Sequence, residues 1–367
     1  MRVTFPHMGQ LSIPVKALFE GLGHEVVVPP VTNKFTFELG SKYAPEFACL
    51  PFKINLGNFI EALEAGADTV VMGGGVGPCR FGYYAQVQRE ILQDLGYNFQ
   101  LLLLDPPGAG TKELSKAIKL LAEAASPGRI LSALRLAWVK TRLLDEGNRL
   151  YRMQAPYILP DNTVRQIYGD FLDQIDRENR VNRLLKIYST FTVKINQLRK
   201  EVKPKPVLRV KIIGEIYMVL EPKVNFDLED RLSELGVEAH RQISMSGWVE
   251  EHLFGVFFPH HAKRRKCLAK PYLSAFVGGH GQETVAETVD AGVNKYDGVI
   301  QVLPFTCMPE IVAQSVLPEI SRDFALPILY LVLDEHSAEA GIHTRLEAFV
   351  DLMARKKRAR DLRAKIM

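Results

Sequence analysis

Short runs of uninterrupted apolar residues, separated by amphipathic segments, constrain this chain more than any other feature. In the first 110 residues strands are predicted at 2–5, 25–28, 69–72 and 98–104, with 26–28, 70–72 and 101–104 as their apolar runs. The second is stopped by Pro29-Pro30 and the last by Asp105-Pro106-Pro107. Between them, Ser12 stands where it caps a helix with Pro14 early in it, ending at Gly21 or Gly23. Further helical patterns run over 55–65, closing at Gly66, and over 83–95, closing at Gly96. A strand with one wet face alternates apolar and polar residues, whereas these runs are continuously apolar. Such strands, alternating with helices, predict a parallel sheet covered on both faces.

The pattern then changes and returns. Residues 111–200 are mostly helical in character, and the proline-bearing VKPKP over 202–206 reads as a linker. A second α/β section follows. Its strands are predicted at 207–213, ending at Gly214-Glu215, and at 297–303 and 328–333. Its helices are predicted at 228–235, 283–291, 309–319 and 343–365. The expected organisation is an N-terminal α/β lobe (1–110), a helical segment with its linker (111–205) and a C-terminal α/β lobe (206–367) with a basic terminal helix. Both α/β sections run strand, cysteine-bearing loop, helix, which reads as pseudo-symmetry.

With 367 residues, 47% of them hydrophobic, the chain has material for two domains. A net charge of +4 gives no argument for a polyanion-binding protein. The charge is uneven, however. Lys263, Arg264, Arg265 and Lys266 form one basic cluster. Arg355, Lys356, Lys357, Arg358, Arg360, Arg363 and Lys365 form another against two aspartates. The second is a solvated terminus, a docking surface for an acidic partner or a weak nucleic-acid contact. No nucleic-acid module accompanies it, which disfavours the last. The start, MRVTFPHMGQ, lacks the apolar core and cleavage site of a signal peptide. No apolar run reaches spanning length. The expectation is a cytoplasmic protein without membrane contact, whose four dispersed cysteines are reduced thiols or metal ligands.

Three of those cysteines occupy related settings. Cys79 ends the run Gly73-Gly74-Gly75-Val76-Gly77-Pro78-Cys79 directly after a strand. Cys307 follows another strand, in Pro304-Phe305-Thr306-Cys307, and precedes the helix opened by Met308-Pro309-Glu310. Cys49 precedes Leu50-Pro51 and the helix expected at 55. Ligands of open α/β sheets bind beyond the carboxyl ends of strands, and glycines such as Gly75 and Gly77 let backbone approach a bulky group. A thiolate near a helix N-terminus is stabilised by the dipole and the unpaired N–H groups. On the residues alone, inert core thiols, an iron–sulfur cluster, and zinc or a thiol nucleophile all stay open. Zinc is not favoured, because no His–Cys pair has ligand spacing. Cys267, in KRRKCLAK, has no such scaffold and reads as a bystander.

The stretches EFACLPFKINLGNFIEALEAGADTVV, GGGVGPCRFGYY, DGVIQVLPFTCMPE and PILYLVLDEHSAEAGIHTRLEAF resemble the 2-hydroxyacyl-CoA dehydratase component family. They are closest to its relatives described as CoA-substrate-specific enzyme activase-related proteins. The resemblance covers both α/β sections and is weakest over 111–200. It implies two Rossmann-like lobes with a 4Fe–4S cluster between them, held by Cys49, Cys79 and Cys307. It also implies a CoA-thioester substrate, an ATP-hydrolysing iron–sulfur activator that injects one electron, and radical elimination of water. A related second subunit or a homodimer is implied too. Relatives with a double-cubane cluster need more cysteines than these motifs offer, so a single cube is expected. The glycine-rich stretches match neither the P-loop nor GxGxxG, so no ATPase is assigned to this chain.

Other residues were weighed for chemistry. Gly278-Gly279-His280-Gly281-Gln282-Glu283 is a phosphate- or CoA-binding loop, or an ordinary turn, with His280 as an acid, base or hydrogen-bond donor. Glu215, after its strand, is a candidate catalytic carboxyl. Lys53 and Arg80, beside cysteines, are candidates for balancing cluster charge or holding an anion. Asp334-Glu335-His336, Arg345 and Glu347 are either substrate contacts or ion-pairing residues. His260-His261, expected on a strand, would point opposite ways and not form a metal site. Three functions compete: a dehydratase-like or low-potential reductive enzyme, a non-catalytic iron–sulfur electron-transfer or accessory subunit, and a metal-free α/β binding protein.

Overall fold

The computed structural model describes residues 1–75, 77–105, 111–123, 125–158, 162–201, 208–253 and 260–366. Val76, Pro106-Pro107 and the linker expected at 202–206 lie outside the described residues. The chain divides into two compact units. One comprises Met1–Leu144, Ile175–Leu185 and Met245–Pro259, the other Asp145–Gln174, Lys186–Ser244 and His260–Met367.

The first unit begins β1 (Arg2–Thr4), α1 (Ser12–Leu22), β2 (Glu25–Val26), α2 (Lys34–Tyr43), α3 (Leu50–Glu64), β3 (Thr69–Gly73), α4 (Phe81–Asp94), β4 (Gln100–Leu104) and α5 (Thr111–Ala122). Its four strands run parallel in the order β2-β1-β3-β4. β3 shows why its sequence is apolar at every position. Val70 and Met72 enter a core with Leu56 and Leu92, while the intervening Val71 joins Val3, Phe19 and Leu102. Side chains alternate across a strand, so a sheet with two covered faces needs apolar residues at both parities. Ser12 is the first helical residue of α1 and not its cap; Leu11 is the N-cap, and left-handed Gly23 closes the helix at φ 102°.

α2 has no counterpart among the helices expected from sequence. Its N-cap Asn33 accepts from the Phe35 and Thr36 amides and forms a capping box with Thr36. α2 and α3 touch backbone to backbone. A Cβ at Gly40 would lie 1.8 Å from the Lys53 carbonyl oxygen, and one at Gly57 2.2 Å from that of Thr36.

A helical stretch follows: α6 (Pro127–Ile158), α7 (Thr163–Arg177) and α8 (Val181–Glu201). The described residues between 111 and 201 contain no strand. Within the second unit these helices interlock through aromatic rings. Tyr151 stacks on Tyr168 at 4.4 Å and Phe171 on Phe191 at 4.3 Å.

The second unit continues with β5 (Leu208–Gly214), α9 (Ile216–Leu220), α10 (Leu228–Glu234) and β6 (Val237–Arg241). α11 (Met245–Leu253) belongs to the first unit. Then come α12 (His260–Ala269), α13 (Gly281–Val293), β7 (Gly298–Pro304), α14 (Met308–Asp323), β8 (Ile328–Leu333) and α15 (Glu339–Ile366). The strands are again all parallel, in the order β6-β5-β7-β8. The two sheets therefore share one topology: the second strand of each lobe is an edge, the first and third are central, and a helix pair precedes the third. His260-His261 opens a helix and does not lie on a strand, so the argument from strand geometry does not apply to it.

One buried ion cluster ties the second sheet to its covering helix. Lys211 of β5 is 7% exposed, with Nζ 2.5 Å from Glu287 and 2.6 Å from Asp290, both on α13. Burial works against its charge, and the two carboxylates overcome this, holding the lysine above its usual pKa. Arg264 of α12 also donates to Asp290. Lys211→Ala removes the lysine from Glu287 and leaves Asp290 with Arg264 alone, and it should cost about 3 kcal/mol, read as a lowered urea midpoint. An unchanged midpoint would contradict this role.

Among the described residues, no helix is long and apolar enough to cross a membrane. The basic C-terminal stretch is partly structural. Lys357 and Arg360 reach Asp297 at 3.0 and 3.2 Å, and the same carboxylate accepts from the Arg209 amide at 2.9 Å.

Candidate functional site

In the first unit, the start of α3 places Cys49. This helix begins at Leu50, five residues before the expected start at 55, with Cys49 as an extended N-cap and proline in its first turn. Proline fits there because the first-turn N–H groups have no partner within the helix. Cys49 is 9% exposed, and its Sγ is hydrogen-bonded with the Tyr84 hydroxyl of α4. Edge contacts with Phe52 and Phe81, at 5.1 and 5.2 Å between centroids, fix the Tyr84 ring.

Cys79 is partly buried and lies just before α4, after Gly77 at φ 94°. Arg80 is the N-cap of α4, and its Nη1 donates to the Phe47 carbonyl at 2.8 Å. The Arg80 bond and the Tyr84–Cys49 contact hold the two cysteine loops side by side. The neighbouring glycines have local reasons to exist. A Cβ on Gly75 would meet the Phe81 ring at 2.8 Å, and one on Gly74 the Asp105 carboxylate at 1.8 Å. The first turn of α4 and Asp105 thus fill the space these glycines leave. Lys53 is 4% exposed within the first turn of α3, so it does not offer its ammonium on an open surface.

In the second unit, the carboxyl edge of β5 and β7 gathers four candidates. Cys307 is the N-cap of α14, again with proline in the first turn, and is 8% exposed. The residue before it, Thr306, has φ 67°. A β-branched residue in that region is strained, so the loop presenting Cys307 is held by its surroundings.

Glu215 follows Gly214 at the end of β5, caps α9 and accepts from the Met218 amide at 3.0 Å. His280 is the N-cap of α13, preceded by Gly278 and Gly279 at φ 87° and 46°. Its Nε2 lies 3.7 Å from Glu283, which also faces Arg265 at 3.7 Å. α13 and α14 meet closely at their starts, since a Cβ on Gly281 would lie 2.4 Å from the Pro309 carbonyl oxygen.

Sequence reasoning missed Glu310. It stands on the first turn of α14 and is 1% exposed. Its carboxylate accepts from Thr284 Oγ1 at 3.1 Å and Gln301 Nε2 at 2.8 Å. Burial raises its pKa to about 7 against these bonds, and the like charges of Glu215 and Glu283 add to the rise. Burial likewise raises Glu215 to about 7, opposed by the amides it accepts from. Glu215 keeps more of its surface open, so the burial behind the shift is more complete at Glu310. The only sequence signal for Glu310 was an acidic residue at a helix start.

A carboxyl that keeps its proton to about pH 7 when folded, and to about 4.5 when unfolded, favours the folded state below that window. The stability is lost as pH rises through it, on the order of 2 kcal/mol. In Glu310→Gln, the fall in urea midpoint between about pH 5 and about pH 8 should be smaller than in wild type. An equal fall would show that Glu310 does not hold the proton.

Asn58 of α3 was missed too. It is fully buried, and neither end of its amide has a hydrogen-bond partner.

None of the four cysteines is in a disulfide, and Cys267 is exposed on α12. Asp334 accepts from the His336 amide and the Ser337 hydroxyl at 3.0 and 2.9 Å, shaping the turn after β8. Arg345 donates to the Tyr330 carbonyl. Among the described residues, no three His, Cys, Asp or Glu side chains gather closely enough to hold a metal ion. No protein-family model matches the chain, and no curated protein matches it.

Proposed function

We propose that this chain is a cytoplasmic iron–sulfur protein using Cys49, Cys79 and Cys307 as thiolate ligands of a single 4Fe–4S cluster. The reading follows the dehydratase components that its sequence resembles. One observation carries it: each lobe sets a thiol at a helix N-terminus beyond the carboxyl end of its third strand, Cys79 after β3 and Cys307 after β7. Cys49 adds a second such thiol in the first lobe. Cys49 and Cys79 belong to one unit and Cys307 to the other.

The donor set suits the group. Thiolates are the soft ligands that iron–sulfur clusters take. Cys49 and Cys307 both stand at helix N-termini, where the helix dipole stabilises thiolate or sulfide. When bound, the cluster supplies one-electron transfer and a Lewis-acidic iron. The protein's own part is protonic. Glu310 and Glu215 hold or release protons near neutral pH at the same edge as Cys307 and His280. Arg80, which is exposed, fixes the Cys79 loop through Phe47 and is the candidate for holding an anion.

The proposed substrate class is a CoA thioester, acted on with an ATP-hydrolysing activator protein and a second subunit or second copy. A panel of 2-hydroxyacyl-CoA thioesters, given to the cluster-loaded protein with such an activator, tests this. Release of water to the enoyl-CoA supports the lyase reading. A loaded cluster that cycles electrons without consuming any thioester assigns the chain to electron transfer.

A further inference from the structure

Two arginines are buried in the second unit against a single carboxylate. Arg152 lies on α6, Glu229 in the first turn of α10, and Arg241 ends β6; all three belong to that unit. The side chains of Arg152 and Arg241 are only 7% and 9% exposed. Glu229 lies 3.3 Å from Arg152 Nε and 3.8 Å from Arg241 Nη1. Two guanidiniums share one carboxylate, so the group carries one positive charge in excess.

The strand explains how Arg241 comes to be there. Side chains alternate along β6, so Arg241 continues the face of Val237 and Ala239, which are core residues. An apolar strand face thus ends on a cation, at the carboxyl end of a parallel strand, where α/β sheets meet their ligands.

The two arginines are provided for unequally. Arg152 Nε donates to Asn148 Oδ1 at 2.8 Å, and Asn148 is itself fixed by donating to the Tyr168 hydroxyl at 3.0 Å. Arg152 Nη1 reaches the Ala239 carbonyl at 3.5 Å. Arg241 Nε, by contrast, is fully enclosed and has no acceptor. The Glu229 oxygen, 3.8 Å from its Nη1, is beyond hydrogen-bond distance. Burial pushes the Arg152 guanidinium down to about 10; Glu229 opposes this, and the like charge of Arg241 adds to it. A guanidinium taken out of water without an acceptor, beside a second one, is a costly arrangement unless an anion completes it.

We propose that Arg241, backed by Arg152, is the binding site for the carboxylate of a small organic acid. Charge and shape both select that class. One carboxylate balances the single excess charge, whereas a phosphate monoester brings close to two negative charges. The guanidinium fork fits the two oxygens of a carboxylate. The site stands apart from the cysteines, and iron content plays no part in its test.

The test uses the full chain in a zwitterionic buffer at constant ionic strength. Acetate, inorganic phosphate and chloride are titrated in turn, and the urea midpoint is read at each concentration. In wild type, acetate should raise the midpoint along a saturating curve, as a ligand of the folded state does. Chloride should give no such curve. This measurement requires no variant to fold. Arg241→Met should need at least about tenfold more acetate for the same rise, because a charge-assisted pair is lost. In acetate-free buffer the same variant should be at least as stable as wild type, since the charge it removes has no partner there. A merely structural arginine would lower that midpoint instead. The proposal is overturned by the absence of a saturating acetate response in wild type, or by an equal response in Arg241→Met. Phosphate that saturates at lower concentration than acetate, or an acetate-free midpoint that falls in Arg241→Met, overturns it as well.

Discussion

Replacing Cys49, Cys79 or Cys307 with alanine is expected to reduce bound iron and sulfide to below about a tenth of wild type, whereas Cys267→Ala leaves them unchanged. The contrast comes from placement. Cys49 and Cys307 are N-caps, 9% and 8% exposed, and Cys79 adjoins the start of α4. Cys267 is exposed on the basic helix α12. The alternative account, in which the buried cysteines are small core hydrophobes, predicts a different pattern. Truncating a buried thiol would then cost about 1 kcal/mol at most sites and change no metal content. Measuring the urea midpoint alongside iron separates the two. Iron lost with the midpoint nearly kept marks a ligand, and a lowered midpoint with no iron in any variant marks packing. Equal iron loss in Cys267→Ala would mean that the exposed thiol is also a ligand and would contradict the three-cysteine assignment.

The largest stability effect should come from Gly214→Ala. Gly214 ends β5 at φ 129°, where L-residues are rarely found, and a Cβ there would lie 2.0 Å from the Val302 carbonyl oxygen of β7. Backbone strain of about 1–3 kcal/mol adds to overpacking of about 1–3 kcal/mol. The expected cost is about 4 kcal/mol, a large fraction of the stability of an ordinary domain. Gly236→Ala is the matched control. It too has a positive φ, 71°, but a Cβ would meet open space, so only a backbone cost of about 1 kcal/mol is expected. Urea midpoints that fall equally in both variants would show that contact with β7 contributes nothing. The position also bears on the site, since Gly214 sets where Glu215 enters α9.

The fold was readable where burial forces composition. β3 and β7 are covered on both faces, so each parity of the strand is mostly apolar, and the runs stood out. β6 did not, because only Val237 and Ala239 enter the core deeply while Glu238 and His240 bond one another at 2.5 Å. That edge strand reads as a mixed polar segment. α2 was hidden because its stability comes from a capping box at Asn33 and from backbone contact through Gly40, neither of which produces an apolar stripe. β2 is shorter than expected, with only Glu25–Val26 pairing to β1.

The candidate site was legible in the same uneven way. Proline just after Cys49 and just after Cys307 announces a helix start, and both are N-caps. The contacts that give these positions character were not legible. Tyr84 against Cys49, and Thr284 with Gln301 on Glu310, join segments 35, 26 and 9 residues apart. No local spacing encodes such contacts. They exist because two parallel sheets of the same order bring successive helix starts to one edge.

The most direct test is iron and acid-labile sulfide counted on anaerobically purified wild-type protein, with an electron paramagnetic resonance spectrum after one-electron reduction. The account predicts brown protein with about four iron and four sulfide per chain and a signal from a single reduced cubane. Colourless protein with negligible iron after anaerobic purification and reconstitution, and no signal on reduction, would contradict it.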